Sequence, residues 1–146
     1  MKIKNEKVSI STQKQVEFVD ITEQVEEIVQ ESGVKSGQAL VFSPHSTASV
    51  AINHKEDMLL QDMSRILYRL APVDERYDHD VFELTKKNKS DGRSNGHSHC
   101  KNFLLGTSET IPVQDGKLML GDRQNIFLVE FDGGRERDYI VQVLGE

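Results

Sequence analysis

The chain has 146 residues, 18 Lys+Arg against 24 Asp+Glu for a net charge of −6, and 36% hydrophobic residues. That describes one domain, 1–146, able to bury a core without metal or disulfide; its acidic balance disfavours nucleic-acid binding, whose non-specific part rests on excess positive charge. The single cysteine, Cys100, excludes an intrachain disulfide, and with no apolar run near the ~20 residues of a membrane span and no apolar signal core, a cytoplasmic protein without a membrane partner is expected.

The opening segment alternates around Ile3, Val8 and Ile10, then Val16, Phe18 and Val19, which predicts two short strands joined by a polar turn. Ile21, Val25, Ile28 and Val29 then recur at helical spacing. Asp20 with Glu23 forms a capping-box pattern, and Gly33 stands where a glycine ends a helix. Residues 38–43 read as a buried strand, interrupted by Pro44. If 45–53 is extended, Ala48, Val50 and Ile52 face one way, while His45, Thr47, Ser49, Ala51 and Asn53 form a small polar face on the other.

A second helix is predicted over about 56–70, with Leu59, Met63, Ile66, Leu67 and Leu70 on its inner stripe and Pro72 beyond its end. Residues 73–96 read as a long polar connection carrying Tyr77 and His79, with the basic residues Lys86, Lys87 and Lys89. A short helical segment after Ser98 runs through Leu105. The remainder reads as a meander over 109–114, 117–120, 125–131 and 138–144, with turns at Asp115-Gly116 and Asp132-Gly133-Gly134. The expected class is α+β with largely antiparallel β-sheets and two to three helices.

Imidazole is both the usual metal ligand and the side chain that titrates near neutral pH, so the histidines are the first candidates for chemistry. His45 opens the polar face, where Thr47 and Ser49 offer hydroxyls to an anionic oxygen and Asn53 an orienting amide; an exposed loop histidine beside an edge strand is the competing reading. His79 lies between Asp78 and Asp80, carboxylates that can raise its pKa, join it around a divalent metal, or simply make a charged turn. His54 reads as the polar entry to a helix and has no assigned role.

The run Asp91-Gly-Arg-Ser-Asn-Gly-His-Ser-His99 brings Arg93, Asn95, His97 and His99 to a helix start, whose unpaired amides favour phosphate or carboxylate. A solvated turn is the alternative. His97 and His99 share a face on a strand but point about 160° apart on a helix, so a metal pair there depends on conformation. Cys100 follows His99, yet sequence neighbours generally point apart, so it reads as a small buried hydrophobe rather than a nucleophile. Arg135 and Arg137 can aim both guanidiniums at one anion if extended, or can pair with Asp132, Glu136 and Asp138.

Taken together, His45-Ser-Thr-Ala, Asn53, Ser94-Asn-Gly-His-Ser-His99-x-Lys101, Gly106-Thr-Ser-Glu-Thr-Ile-Pro-Val113, Gly116-Lys-Leu-x-Leu-Gly121, Gln124 and Phe131-Asp-Gly-x-Arg135-x-Arg137 resemble the YjbQ-like family over nearly the whole chain. The resemblance implies a compact sandwich- or barrel-like α+β domain that assembles as a homotrimer with sites near the subunit boundaries. It also implies a secondary thiamine-phosphate synthase activity, beside a physiological role that is not settled. The family pattern points to His45 and Thr47, Asn53 with Asp57, His79, Asn95 and His99, and Arg135 with Arg137. His97 falls where many members carry a small residue and is expected to be dispensable, and Cys100 where leucine is usual. Arg123, in Leu120-Gly-Asp-Arg123-Gln, stands where members commonly have tryptophan, which would shift preference towards a more anionic ligand.

As an enzyme, the chain would join a pyrimidine diphosphate to a thiazole phosphate with loss of pyrophosphate. His45 and His99 would then act as acid, hydrogen-bond donor or metal ligand, Lys101, Arg135 and Arg137 would bind phosphate, and Thr47, Asn53 and Asn95 would orient the substrate. A divalent metal held by His45, His79 and His99 is a further expectation. The alternative is a non-catalytic module that binds a phosphorylated metabolite or anion.

Overall fold

The computed structural model describes residues 1–85 and 93–146; the basic residues Lys86, Lys87 and Lys89 and the Asp91-Gly92 turn lie outside them. The elements are β1 (Lys2–Ser11), β2 (Glu17–Asp20), α1 (Thr22–Ser32), β3 (Ser36–Phe42), β4 (Ala48–Asn53), α2 (Asp57–Leu70), α3 (Asp78–Thr85), α4 (Gly96–Leu105), β5 (Ser108–Gln114), β6 (Lys117–Leu118), β7 (Asn125–Glu130) and β8 (Glu136–Gly145). They form a five-stranded sheet in the order β1-β8-β3-β5-β6 and a three-stranded sheet in the order β2-β7-β4. Every pairing is antiparallel, so the α+β class with largely antiparallel sheets holds.

The main core joins residues of both sheets and α1: Ala39, Val41, Val141 and Val143 from the large sheet, Val50, Ile126 and Leu128 from the small one, and Val25, Ile28 and Val29 from α1. The other face of the small sheet is covered as well. There Phe127, Val129 and Phe131 pack with Leu67 of α2, and with Ala51, Leu60 and Leu105. A central strand covered on both faces needs no polar alternation, which is why β7 reads as a near-continuous apolar run.

Helix α1 ends as its glycine foretold, with Gly33 at φ 68°, a left-handed conformation open to glycine, donating its N–H to Gln30 O. Its start differs from a capping box: Asp20 Oδ1 accepts from Thr22 N at 3.0 Å and Thr22 Oγ1 at 2.6 Å. Helix α2 is capped instead by Glu56, whose carboxylate accepts from Met58 N and Leu59 N.

Four expectations are corrected. The described residues contain four helices, because part of the 73–96 connection forms α3. The inner stripe of α2 is narrower than its apolar spacing suggested, since Ile66 and Leu70 are exposed. Cys100 is exposed too; α4 turns Gly96, His97, Ser98, Lys101 and Asn102 inward, leaving 100, 103 and 104 on its outer side. The C-terminal strands are not one meander. β5 pairs with β6, but β7 and β8 belong to different sheets, so Asp132-Gly133-Gly134 carries the chain across the sandwich rather than around a hairpin. Among the described residues no helix is long and apolar enough to cross a membrane.

Candidate functional site

The crossing from β7 to β8 is where the chemistry collects. It passes tightly beneath the loop after β1: a Cβ on Gly133 would lie 2.1 Å from Lys14 O, and one on Gly134 2.5 Å from Thr12 O. Only glycine allows that approach. At its start Glu130, 0% exposed, has both carboxylate oxygens engaged. Oε1 accepts from Thr12 Oγ1 at 2.7 Å and Arg137 Nε at 2.8 Å; Oε2 accepts from Arg137 Nη2 at 2.6 Å and from the amides of Phe131 and Asp132 at 3.1 and 3.2 Å. Arg137 Nη2 also donates to Thr47 Oγ1 at 2.7 Å and to Thr47 O at 3.3 Å. A buried bidentate Arg–Glu pair with its remaining polar atoms hydrogen-bonded meets the condition under which such a pair is tolerated inside a fold. Burial pushes the Glu130 carboxyl up, but the hydrogen bonds from Arg137 and Thr12 outweigh it and hold the group below its ordinary 4.5.

The next carboxylate, Asp132, gathers three more side chains. Arg93 Nη1 donates to Asp132 O at 2.8 Å and Oδ1 at 3.3 Å, Arg135 Nη1 to Oδ2 at 3.1 Å, and Asn95 Nδ2 to Oδ2 at 3.0 Å. Asn95 Oδ1 in turn lies 3.1 Å from His79 Nε2. The His79 and His99 rings meet edge to face with centroids 4.8 Å apart. The start of α4 is partly occupied already, because Gly96 N donates to Asp80 Oδ1 at 2.9 Å.

His45 Nε2 accepts from Asp138 N at 3.1 Å, which places an imidazole proton on Nδ1 in the neutral ring. Asn102 Nδ2 ties the start of β4, just after this loop, to α4 through Ala48 O at 2.8 Å and Ser49 Oγ at 3.1 Å. Burial and the Arg137 charge hold His45 below its ordinary 6.5; burial and His79 do so for His99, and burial and Lys101 for His97. A histidine whose folded pKa is depressed takes its proton first in the unfolded chain, so its stabilisation is complete only above 6.5 and is lost as pH falls through the folded value. Glu130 adds a second loss below 4.5. The melting temperature is expected to be level above about pH 7, to decline below 6.5 and to fall more steeply below 4.5; thermal melts across pH 4–8 check this, and a flat profile would contradict it.

His97 is buried rather than open to a ligand. The helical conformation of α4 separates it from His99 and places it four residues before Lys101, whose Nζ lies 2.8 Å from His97 Nδ1. His97 is 0% and Lys101 2% exposed, and burial lowers the Lys101 pKa. His97→Ala removes that lysine's hydrogen-bond acceptor and leaves a cavity, with an expected cost of about 2–4 kcal/mol measured by urea unfolding.

The expected site residues thus fall into two joined groups and a remainder. His79, Asn95, His99 and Arg135 converge with Arg93 around Asp132. His45 and Thr47 lie on the neighbouring loop, tied to Arg137 and Glu130. Arg135 and Arg137 do not aim at one point: the first bonds to Asp132 and the second to Glu130. Lys101 lies beneath the surface on His97. Asn53 is at the other end of β4, opposite Asn125, whereas Ala48 pairs with Glu130, a separation of about 17 Å at ~3.4 Å per strand residue. Asp57 begins α2 near that far end, and Arg123 is exposed in the turn leading into β7.

The proposed metal triad does not form in this arrangement. His45 Nε2 is committed to the Asp138 amide, and among the described residues no group of three or more His, Cys, Asp or Glu side chains is placed to hold an ion. Sequence reasoning missed Glu130 and Thr12 altogether and placed Asp132 in a turn and as a charge partner, not at the centre of a site. A carboxylate within the otherwise apolar run Ile-Phe-Leu-Val-Glu130-Phe was the available signal for a buried ion pair.

Residues 6–146 match the family model described as UPF0047 protein YjbQ-like. The chain is 36% identical over 146 residues to a UPF0047 protein of Methanothermobacter thermautotrophicus, covering 100% of this chain and 95% of that one. It is 34% identical over 139 residues to UPF0047 protein YugU of Bacillus subtilis, covering 94% and 97%. The crystal structure of a YbjQ-like protein of unknown function from Sulfolobus solfataricus superposes with a TM-score of 0.90 at 39% identity, covering 99% of both chains.

Proposed function

The chain belongs to the UPF0047 YjbQ-like family, and on that premise we propose that it binds the diphosphate of a small substrate at the Arg93–Arg135 end of the fold and transfers the substrate's organic group. The observation that carries the reading is the convergence of two guanidiniums, each with its side chain 34% exposed, beside the imidazoles of His79 and His99. The reaction suggested by the family resemblance joins a pyrimidine diphosphate to a thiazole phosphate. The carbon–oxygen bond of the diphosphate breaks with its electron pair on the departing pyrophosphate, and the thiazole supplies the pair for the new bond. Preorganised cations at the leaving group stabilise charge where it develops. Arg93 and Arg135 take that role. His99 donates a hydrogen bond to a phosphoryl oxygen and His79 stands against its ring, while Arg137, Thr47 and Lys101 support the site from beneath.

The test is direct: purified protein incubated with the two precursors yields thiamine phosphate and pyrophosphate in equal amounts. Saturable pyrophosphate binding without product would favour the non-catalytic module. Absence of both overturns the reading.

A homotrimer is part of the same proposal. Its support is the concentration of exposed large apolar side chains, among them Ile66, Leu70, Phe82, Leu84, Phe103 and Leu104, on the helices between β4 and β5. An apolar groove of about 240 Å³ lined by Ala51, Met63, Leu67, Leu105 and Phe127 adjoins them. Exposed apolar side chains concentrated in this way mark an association site. Light scattering is expected to return three times the 16.6 kDa chain mass, and a monomer mass would refute it.

A further inference from the structure

We infer that Asp132 is the positioning residue of this site: one carboxylate holds Arg93 and Arg135 side by side and, through Asn95, decides which nitrogen of His79 carries its proton. The inference rests on the reading of this end of the fold as an anion site. Asp132 is 5% exposed, while the two arginine side chains it holds are each 34% exposed. The carboxylate therefore lies behind the guanidiniums. Its own backbone is fixed from below, since the Asp132 amide donates to Glu130 Oε2 at 3.2 Å.

An ionised carboxylate only accepts hydrogen bonds, so Asn95 must turn Nδ2 towards Asp132, at 3.0 Å, and Oδ1 towards His79 Nε2, at 3.1 Å. His79 Nε2 then has to donate, which leaves the Nδ1 lone pair as the ring's basic atom. A charge at one end of the chain of bonds thereby fixes the tautomer at the other. The order of the amide is not arbitrary either: turning Asn95 over would oppose its oxygen to a carboxylate and its NH2 to a donor.

A counter-charge among cations could instead act mainly by weakening their field. The two roles predict opposite signs for Asp132→Asn. Removing a negative charge tightens anion binding if charge alone matters. Losing the two-sided acceptor weakens it if position matters, because an amide presents N–H donors to at least one of the three groups now bound.

The experiment is calorimetric titration of inorganic pyrophosphate into wild type and Asp132→Asn, with far-UV spectra and melts confirming that both are folded. At least tenfold weaker binding by the variant is expected, despite its more positive charge. Equal or tighter binding would overturn the inference. Long-range 1H–15N spectra of the histidine rings supply a reading that needs no ligand: wild-type His79 in the Nε2–H form, and a mixture in Asp132→Asn. Should that variant fail to fold, Asn95→Leu cuts the same relay and is expected to give the same mixture. A wild-type His79 in the Nδ1–H form refutes the inference outright. Wild-type protein that takes up no pyrophosphate refutes the anion-site reading instead, while the ring spectra still decide the role of Asp132.

Discussion

Glu130→Gln is expected to lower folding stability by about 3–5 kcal/mol, the range for breaking a buried ion pair by removing one partner. The wild-type carboxylate satisfies five donors at once: Thr12 Oγ1, two nitrogens of Arg137 and the amides of Phe131 and Asp132. Glutamine offers one accepting oxygen and turns an NH2 group on the donors that remain. It also leaves Arg137, 3% exposed, without a counter-charge. For a chain of this length the loss corresponds to a fall in melting temperature of roughly 10 °C or more. The double variant Glu130→Leu/Arg137→Met removes both charges together and is expected to recover most of the loss, as apolar replacement of buried pairs commonly does. Urea unfolding of the single and double variants checks both statements. A single variant within about 1 kcal/mol of wild type would mean that water reaches the pair.

The largest effect on turnover is expected from His99→Ala, with formation of thiamine phosphate reduced by about 10² or more, the usual scale for losing one positioned proton donor or acceptor. The ring stands against His79, and burial together with that neighbour lowers its pKa; in the proposed site it gives a hydrogen bond to a phosphoryl oxygen. His45→Ala is expected to reduce turnover as well, but through a different route. Its Nε2 accepts from the Asp138 amide, so the loop bearing Thr47 loses an anchor and stability falls with activity. His54→Ala, at the far end of β4, serves as the control with unchanged turnover. Undiminished product from His99→Ala would remove this histidine from the site.

The regular elements were legible because apolar spacing and helix punctuation are local signals. Ile21 to Val29, ended by Gly33, defined α1 before any contact was visible, and the alternation of 48–53 correctly separated Ala48, Val50 and Ile52 from Ser49 and Ala51. What was not legible depends on partners distant in the chain. The face carrying Ser49 and Ala51 reads as open and polar, yet α2 and α4 cover it. An Asp-Gly step between two strands normally signals a hairpin, but at Asp132-Gly133 the strands on either side join different sheets. Arg135 and Arg137 look equivalent in sequence; the first, just before β8, bonds to Asp132, and the second, inside β8, is buried against Glu130. The fate of His97 turned on helix versus strand. Once 96–105 is helical, its partner is Lys101 rather than His99.

Titrating pyrophosphate into isotope-labelled protein and following the arginine and histidine side-chain resonances decides whether a diphosphate binds between Arg93, Arg135, His79 and His99. Saturable shifts concentrated on those four residues and on the first turn of α4 are expected, with Arg135→Gln abolishing them. Shifts centred on the Asn53–Asp57 end of the small sheet, or no saturable shift at all, would contradict it.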